Sequence, residues 1–180
     1  MNKKPEITAA TRARIVDAFW ELYTRNRIEK ITVRAIAEKA QIHRSTFYEY
    51  FTDIYALLDA CETELIDFLI TEYAEKYLTH PIENLTSLYP IASSILKDHI
   101  VKFYLLLGPN GDPSFPFRLQ TVIRPYFIRA SSLDPDDRYL DLKMTMIFNN
   151  LLSLLNYWYE HQDSFTLDEI FQYWKQFVRL

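Results

Sequence analysis

Two glycines and one cysteine are all that this 180-residue chain contains of either. So few glycines cannot supply the tight turns of a hairpin-rich β protein, and helices become the expected architecture. The lone Cys61 excludes an intramolecular disulfide framework and a cysteine zinc cluster, and it suits a reducing compartment. No apolar run approaches the roughly 18 residues of a spanning helix, so no membrane partner is expected. The start, Met1-Asn2-Lys3-Lys4-Pro5, lacks the apolar stretch that follows the basic residues of a signal peptide. Gly-rich phosphate loops, a nucleophile elbow and a zinc helix signature are also missing. The histidines His43, His80, His99 and His161 are scattered, none at metal-ligand spacing from another. The expectation is therefore no catalysis, no metal and no cofactor.

What is present is apolar surface: 49% hydrophobic and 16% aromatic residues, enough for a sizeable core. It is distributed at helical spacing. Ile15, Ala18, Phe19, Leu22 and Tyr23 make one face of a first helix over residues 11–26. Thr32 is placed to cap a second, whose Val33, Ile36, Ala37 and Ala40 repeat that spacing. Gln41-Ile42-His43 reads as a turn, and residues 44–50 as a third helix with Phe47 and Phe51 stacked on its inner side. A fourth helix follows Asp53 as cap and runs to about Tyr77, with Leu57, Leu58, Cys61, Leu65, Phe68 and Leu69 as its stripe.

Proline punctuates the remainder. A helical region is expected from Pro81 to about Asp98, kinked at Pro90, and a short apolar helix from Ile100 to Leu107. Residues 108–113 hold both glycines and form a loop. Phe115 to Ser131 resumes as helix despite Pro125, and Asp134-Pro135 is expected to start a helix that runs to about His161. Thr166 and Glu169 make a capping box for the last one. The sum is an all-α chain of about nine helices, divided into a head at 1–52 and a larger body at 53–180.

Two short helices joined by a tight turn, the second with a polar, hydroxyl-rich outer face, make a helix-turn-helix reader of the DNA major groove. Charge is divided to match. Residues 1–50 hold 10 Lys+Arg against 6 Asp+Glu, whereas residues 51–180 hold 10 against 18. On a helical wheel with Phe47 inward, Ser45 and Glu49 point most directly away, and Thr46, Tyr48 and Tyr50 lie on the flanks. Arg44 is assigned to guanine O6/N7, and Ser45 and Thr46 to short-range base or phosphate contacts. Tyr48 and Tyr50 are assigned to phosphates, and Arg34 and His43 join the same DNA-binding set.

These residues resemble the DNA-binding domain of the TetR family of bacterial transcriptional regulators. The resemblance is carried by Ala18-Phe19…Leu22-Tyr23, Ile31-Thr32-Val33-Arg34-Ala35-Ile36-Ala37, Arg44-Ser45-Thr46-Phe47-Tyr48-Glu49-Tyr50-Phe51 and Leu57-Leu58. In the body, Leu105-Leu106-Leu107-Gly108…Asn110-Gly111-Asp112 resembles a variant found in Gram-positive relatives. The resemblance implies a bacterial, cytoplasmic regulator, nucleoid-associated when bound, whose Thr32 offers a phosphate contact. It further implies a homodimeric repressor of double-stranded operator DNA, released when a small ligand in the body moves the fourth helix. The chain departs from the family at four places. Arg27 and Gln41 stand where glycine is usual and a positive φ is expected; His43 replaces a serine cap, and Ile54 a phosphate-contacting lysine.

The body offers Phe103, Tyr104, Phe115, Phe117, Tyr126, Phe127, Phe148 and Tyr157 as possible pocket lining, which suits an apolar or aromatic effector. The last two helices are apolar on several sides. One face of the longer holds Leu140, Met144, Ile147, Phe148, Leu151, Leu155 and Trp158, another Leu142, Met146, Leu154 and Tyr157, and the final helix adds Leu167, Ile170, Phe171, Trp174, Phe177 and Val178. A two-fold four-helix interface is expected to cover the excess, with Met144, Phe148, Leu151, Leu155, Trp158, Ile170, Phe171, Trp174 and Phe177 as its candidates. The rival expectation is a co-regulator that works through protein contacts and has weakened or lost DNA binding of its own.

Overall fold

The computed structural model describes residues 5–78, 98–131 and 134–177, with only the backbone of residues 5–7, 131, 175 and 177. The region expected to be helical from Pro81, with its kink at Pro90, lies outside the described residues up to residue 97, as do His80 and Val178. Every element among the described residues is helical: α1 Pro5–Tyr23, a 3-10 turn Ile28–Lys30, α2 Val33–Lys39, α3 Arg44–Tyr48 and α4 Ile54–Leu69. A π-helical segment Ile70–Ala74 and α5 Glu75–Tyr77 continue α4; α6 Ile100–Leu107, α7 Phe115–Ser131, α8 Leu140–Glu160 and α9 Leu167–Phe177 follow. None of the described helices is long and apolar enough to cross a membrane. The chain divides into two compact units, residues 1–64 and 65–180, so the first unit takes in the start of α4.

The first unit is closed by the stripe of α1. Ile15, Ala18, Phe19 and Tyr23 are buried, joined by Trp20, while Leu22 is only half-buried. Phe19 stacks on Tyr23 at 5.2 Å, and Trp20 tilts against both rings. Ile36, Ala37 and Ala40 of the second helix region, Phe47 and Phe51 around α3, and Leu57, Leu58 and Cys61 of α4 complete this core. Arg12 pairs with Glu64 and lies over the Phe51 ring at 5.5 Å, joining both ends of the unit.

The turn between α2 and α3 explains one of the unusual residues. Ile42 N–H donates to the Ala37 carbonyl and Gln41 N–H to the Glu38 carbonyl, the paired bonds of a left-handed helix stop. Gln41 carries the strain, with φ 54°, the one positive φ outside glycine among the described residues. Arg27 does not behave as expected from the glycine usual at its place. Its φ of −69° and ψ of 155° are ordinary extended backbone ahead of the 3-10 turn. Gln41→Gly is therefore expected to stabilise the unit by about 0.5–1 kcal/mol, since a side chain in the left-handed region is strained. Arg27→Gly is expected to cost about 0.5–1 kcal/mol for added chain freedom. Denaturant melts of the two variants check the opposite signs.

The π segment follows from residue spacing. Leu69 and Ala74, and then Tyr73 and Leu78, are buried pairs five residues apart. A straight α-helix rotates five residues well past one turn and would turn Ala74 away from Leu69, whereas Leu78 N–H already donates to the Ala74 carbonyl as in an α-helix. An i→i+5 turn brings the first pair back onto one face. Burial also raises the Tyr73 phenol well above its ordinary range.

In the second unit α8 packs on α6 and α9, α6 on α7, and α7 on the π segment. Phe103, Leu106, Phe115, Leu119, Ala130, Leu140, Met144, Leu155 and Ile170 are its buried apolar residues on α6–α9. Gly111 approaches the α6 backbone so closely that a Cβ would meet the Leu106 carbonyl oxygen at 1.9 Å. The long helix begins at Leu140, later than Asp134-Pro135 suggests. Asp134 instead accepts from Asp136 N–H at 2.9 Å and Asp137 from Tyr139 N–H at 2.8 Å. Two successive side-chain turns of this kind compete with helix.

At the last helix the capping box forms in both directions. Glu169 N–H donates to Thr166 Oγ1 at 3.2 Å, and Thr166 N–H donates to Glu169 Oε2 at 2.7 Å. That backbone bond, followed by the Thr166 hydroxyl, lowers the Glu169 pKa. A carboxylate lowered in this way supports the helix fully above the ordinary glutamate range and loses its contribution as pH falls through the lowered value. Acidification through that window is expected to speed amide exchange in residues 167–177, and Glu169→Ala to do so already at neutral pH.

Candidate nucleic-acid interface

The candidate surface is built on a five-residue helix held by one deep anchor. Phe47, at 0% exposure, fixes the rotation of α3, with Phe51 tilted against it at 5.8 Å. With Phe47 inward, Arg44, Ser45, Tyr48 and Glu49 are exposed, and Thr46 and Tyr50 are half-buried. The Tyr48 and Phe47 rings are nearly perpendicular with centroids 5.6 Å apart, and Tyr48 still leaves half of its own surface outside. Arg44 makes no ion pair among the described residues, so its guanidinium is available to a ligand.

His43 caps α3 with extended backbone and no side-chain hydrogen bond, so the ring stays exposed beside Arg44. At α2, Thr32 Oγ1 accepts from Ala35 N–H at 3.1 Å. The hydroxyl proton of Thr32 is left over for a phosphate oxygen. Thr32→Ala is expected to cost about 1 kcal/mol of unit stability through the lost cap, measurable by denaturant melt. Arg34 donates from Nε to Glu38 at 2.8 Å, and both side chains are exposed. That bond and the Glu38 charge raise the Arg34 pKa further.

Ile54, in place of the lysine that the resemblance leads one to look for, is half-buried on the same side of α4 as Leu57, Leu58 and Cys61. Asp53 caps that helix, accepting from Ala56 N–H at 2.8 Å. Three exposed residues of this unit escaped the motif-based reading: Arg25 and Lys30 between α1 and α2, and Tyr55, 61% exposed in the first turn of α4. Their only sequence signal is position, next to the reader rather than inside it.

The residues 15–61 that build this surface match the family model for bacterial regulatory proteins of the tetR family. Over these 47 residues the chain is similar to that family. The match spans α2, α3, the last nine residues of α1 and the first half of α4, and it lies within the first compact unit. Among solved structures, a TetR transcriptional regulator from Streptococcus agalactiae 2603V aligns over 96% of both chains, with 22% identity and a TM-score of 0.61. The fatty acid degradation regulator FadR from Bacillus halodurans aligns over 96% of this chain and 95% of its own, with 15% identity and a TM-score of 0.66. At these identities the likeness is one of fold, and it extends beyond residues 15–61 to nearly the whole chain. No curated protein matches the sequence.

In the second unit the aromatic residues considered for a pocket separate by burial. Phe103 and Phe115 are buried, Tyr104, Tyr126, Phe127 and Phe148 half-buried, and Phe117 and Tyr157 exposed at 72% and 47%. Tyr104 stacks on Tyr159 with centroids 3.5 Å apart, and burial raises its pKa. His99 stacks on Phe68 at 4.1 Å, and its pKa is lowered first by burial and then by Lys102. Of the candidate pairing residues, Met144, Leu155 and Ile170 face the unit's own core, whereas Phe148, Leu151, Trp158, Phe171 and Trp174 are half-buried. The exposed large apolar residues of α8 and α9 are Leu142, Met146, Tyr157 and Tyr173. No group of three or more His, Cys, Asp or Glu among the described residues is placed to hold a metal ion.

Proposed function

We propose that the chain is a sequence-specific DNA-binding transcriptional regulator, a homodimeric repressor released from its operator by a small apolar or aromatic ligand. The observation that carries the DNA reading is the α3 surface, where Arg44, Ser45 and Tyr48 stand outward from the buried Phe47 inside the segment similar to the tetR family. Arg44 reads a guanine, Ser45 and Thr46 make short contacts, and Thr32, Tyr48 and Tyr50 hold phosphates, with Arg34 and His43 beside them. Pairing is through α8 and α9, along the exposed line of Leu142, Met146, Tyr157 and Tyr173 and their half-buried neighbours. The ligand reading is supported by the aromatic content of α6–α8, and its apolar class by the scarcity of clustered charge there.

Selection of bound duplexes from a random pool by the purified chain tests the proposal. The expected product is a near-palindrome with half-sites about one turn, 34–36 Å, apart. Unenriched sequence overturns it. Arg44→Ala is expected to cost about 1–3 kcal/mol of binding and to relax preference at one base pair of each half-site. Repeating the selection with that variant reads the effect.

One observation favours a second reading. Residues 1–64 hold 10 Lys+Arg and 10 Asp+Glu, so the compact head is neutral where the first 50 residues alone carry a surplus of four positive charges. A neutral head with Asp53 and Ile54 at the start of α4 suits a co-regulator that acts through protein contacts. Absence of any gel shift at low salt is the result that reading predicts.

A further inference from the structure

We propose that the connection between α1 and α2, residues 24–30, is a second phosphate-holding surface that carries much of the electrostatic grip on DNA through Arg25 and Lys30. The inference rests on the reading of the first unit as a DNA binder. Since that unit is neutral as a whole, its attraction for a polyanion depends on where unpaired cations stand.

Three of its cations are neutralised locally: Arg12 by Glu64, Arg34 by Glu38 and Lys39 by Glu21. Arg14, Arg25, Lys30 and Arg44 make no ion pair among the described residues. Arg44 is on the recognition helix, and two of the other three are on this one short connection, with Arg27 exposed between them. Four of the unit's ten acids follow Phe51, at Asp53, Asp59, Glu62 and Glu64, of which Glu62 is buried and Glu64 is paired with Arg12; one acid, Glu29, stands on the connection itself. Residues 24–30 thus carry a surplus of two positive charges, Arg25, Arg27 and Lys30 against Glu29, in a unit that is neutral as a whole.

The connection is also held in shape. Tyr23 and Ile31, buried at its two ends, anchor it. Arg25 N–H donates to the Leu22 carbonyl at 3.2 Å, Asn26 Nδ2 to the same carbonyl at 2.9 Å, and Lys30 N–H to the Arg27 carbonyl at 2.9 Å. Lys30 precedes Thr32 by two residues, so their Cα atoms are at most about 7.6 Å apart. A phosphate on the Thr32 hydroxyl is thus within reach of Lys30, and Arg25 stands exposed on the same connection. Such contacts add affinity and no sequence preference.

The test is a salt titration of the full chain on two duplexes, the one selected by the wild type and a random one of equal length. Arg25→Ala/Lys30→Ala is expected to flatten log affinity against log salt by about 0.9 per cation removed, about 3.6 for a dimer. At physiological salt it should bind both duplexes at least tenfold more weakly, with the preference between them unchanged. Arg25→Lys/Lys30→Arg, which keeps both charges, should retain the wild-type slope. A wild-type slope in the alanine variant overturns the inference alone, and so does a flattened slope in the charge-retaining one. If the wild type binds neither duplex at low salt, the inference and the DNA reading fall together.

Discussion

Phe47→Ala is expected to unfold the recognition helix and abolish DNA binding without touching a single DNA-facing group. Phe47 is wholly buried, and removing such a ring from a core costs about 3–5 kcal/mol. That is comparable to the whole stability available to a unit of this size, since small domains sit at the low end of about 5–15 kcal/mol. Exchange of amides in residues 33–51 should rise toward the unfolded rate, while α6–α9 keep their protection. Tyr48→Ala, four-square beside it in sequence but half outside, should change stability by about 1 kcal/mol or less and weaken DNA binding. If both variants kept a protected head, Phe47 would not be its anchor.

The second large effect concerns the pairing surface. Leu142→Lys/Met146→Lys puts charges on the exposed apolar line of α8, away from Met144 and Leu155, which serve the core of the unit. The fold of the second unit should survive. The dimer should not, because like charges meet across a two-fold axis and the apolar cover is lost. Operator affinity is then expected to fall about 10²- to 10⁴-fold, the gain that two linked half-site contacts provide. Sedimentation gives the mass and anisotropy the affinity. A monomeric wild type, or a variant that stays dimeric, contradicts the assignment.

Which parts of this could be read from the residues alone follows from how local each signal is. Thr32 and the Thr166/Glu169 pair act within one helical turn, and both caps form where their spacing places them. At Gln41 the positive φ was expected only from the glycine usual at its place in the family, and the left-handed stop takes it there. The same expectation fails at Arg27, because the 3-10 turn that follows it removes the need. The π segment was hidden by the assumption of a 3.6-residue period, although the five-residue spacing of Leu69 and Ala74 is consistent with it. Periodicity also divided α8 into two apolar faces without deciding which one its own unit covers. That depends on the packing of α6 and α9, which no single helix encodes.

At the interface, the wheel anchored on Phe47 identifies the outward residues of α3 correctly, because one buried ring sets the rotation of so short a helix. Availability was beyond it. Arg34 engages Glu38 and Lys39 engages Glu21, whereas Arg25 and Lys30 remain unpaired among the described residues, distinctions that exist only once the helices are packed. The neutral balance of the head likewise emerges only when the compact unit, rather than the motif, sets its boundary.

The central claim is that α3 reads base sequence while the surrounding head grips phosphate. Its most direct test is the affinity of the purified full chain for its selected duplex and for a random duplex, at about 50 and 200 mM salt. The account predicts binding to both at low salt, a preference for the selected duplex of about 10³-fold or more, and a loss of about 10³-fold or more on each as salt rises. Equal affinity for the two duplexes, or no binding at low salt, contradicts it.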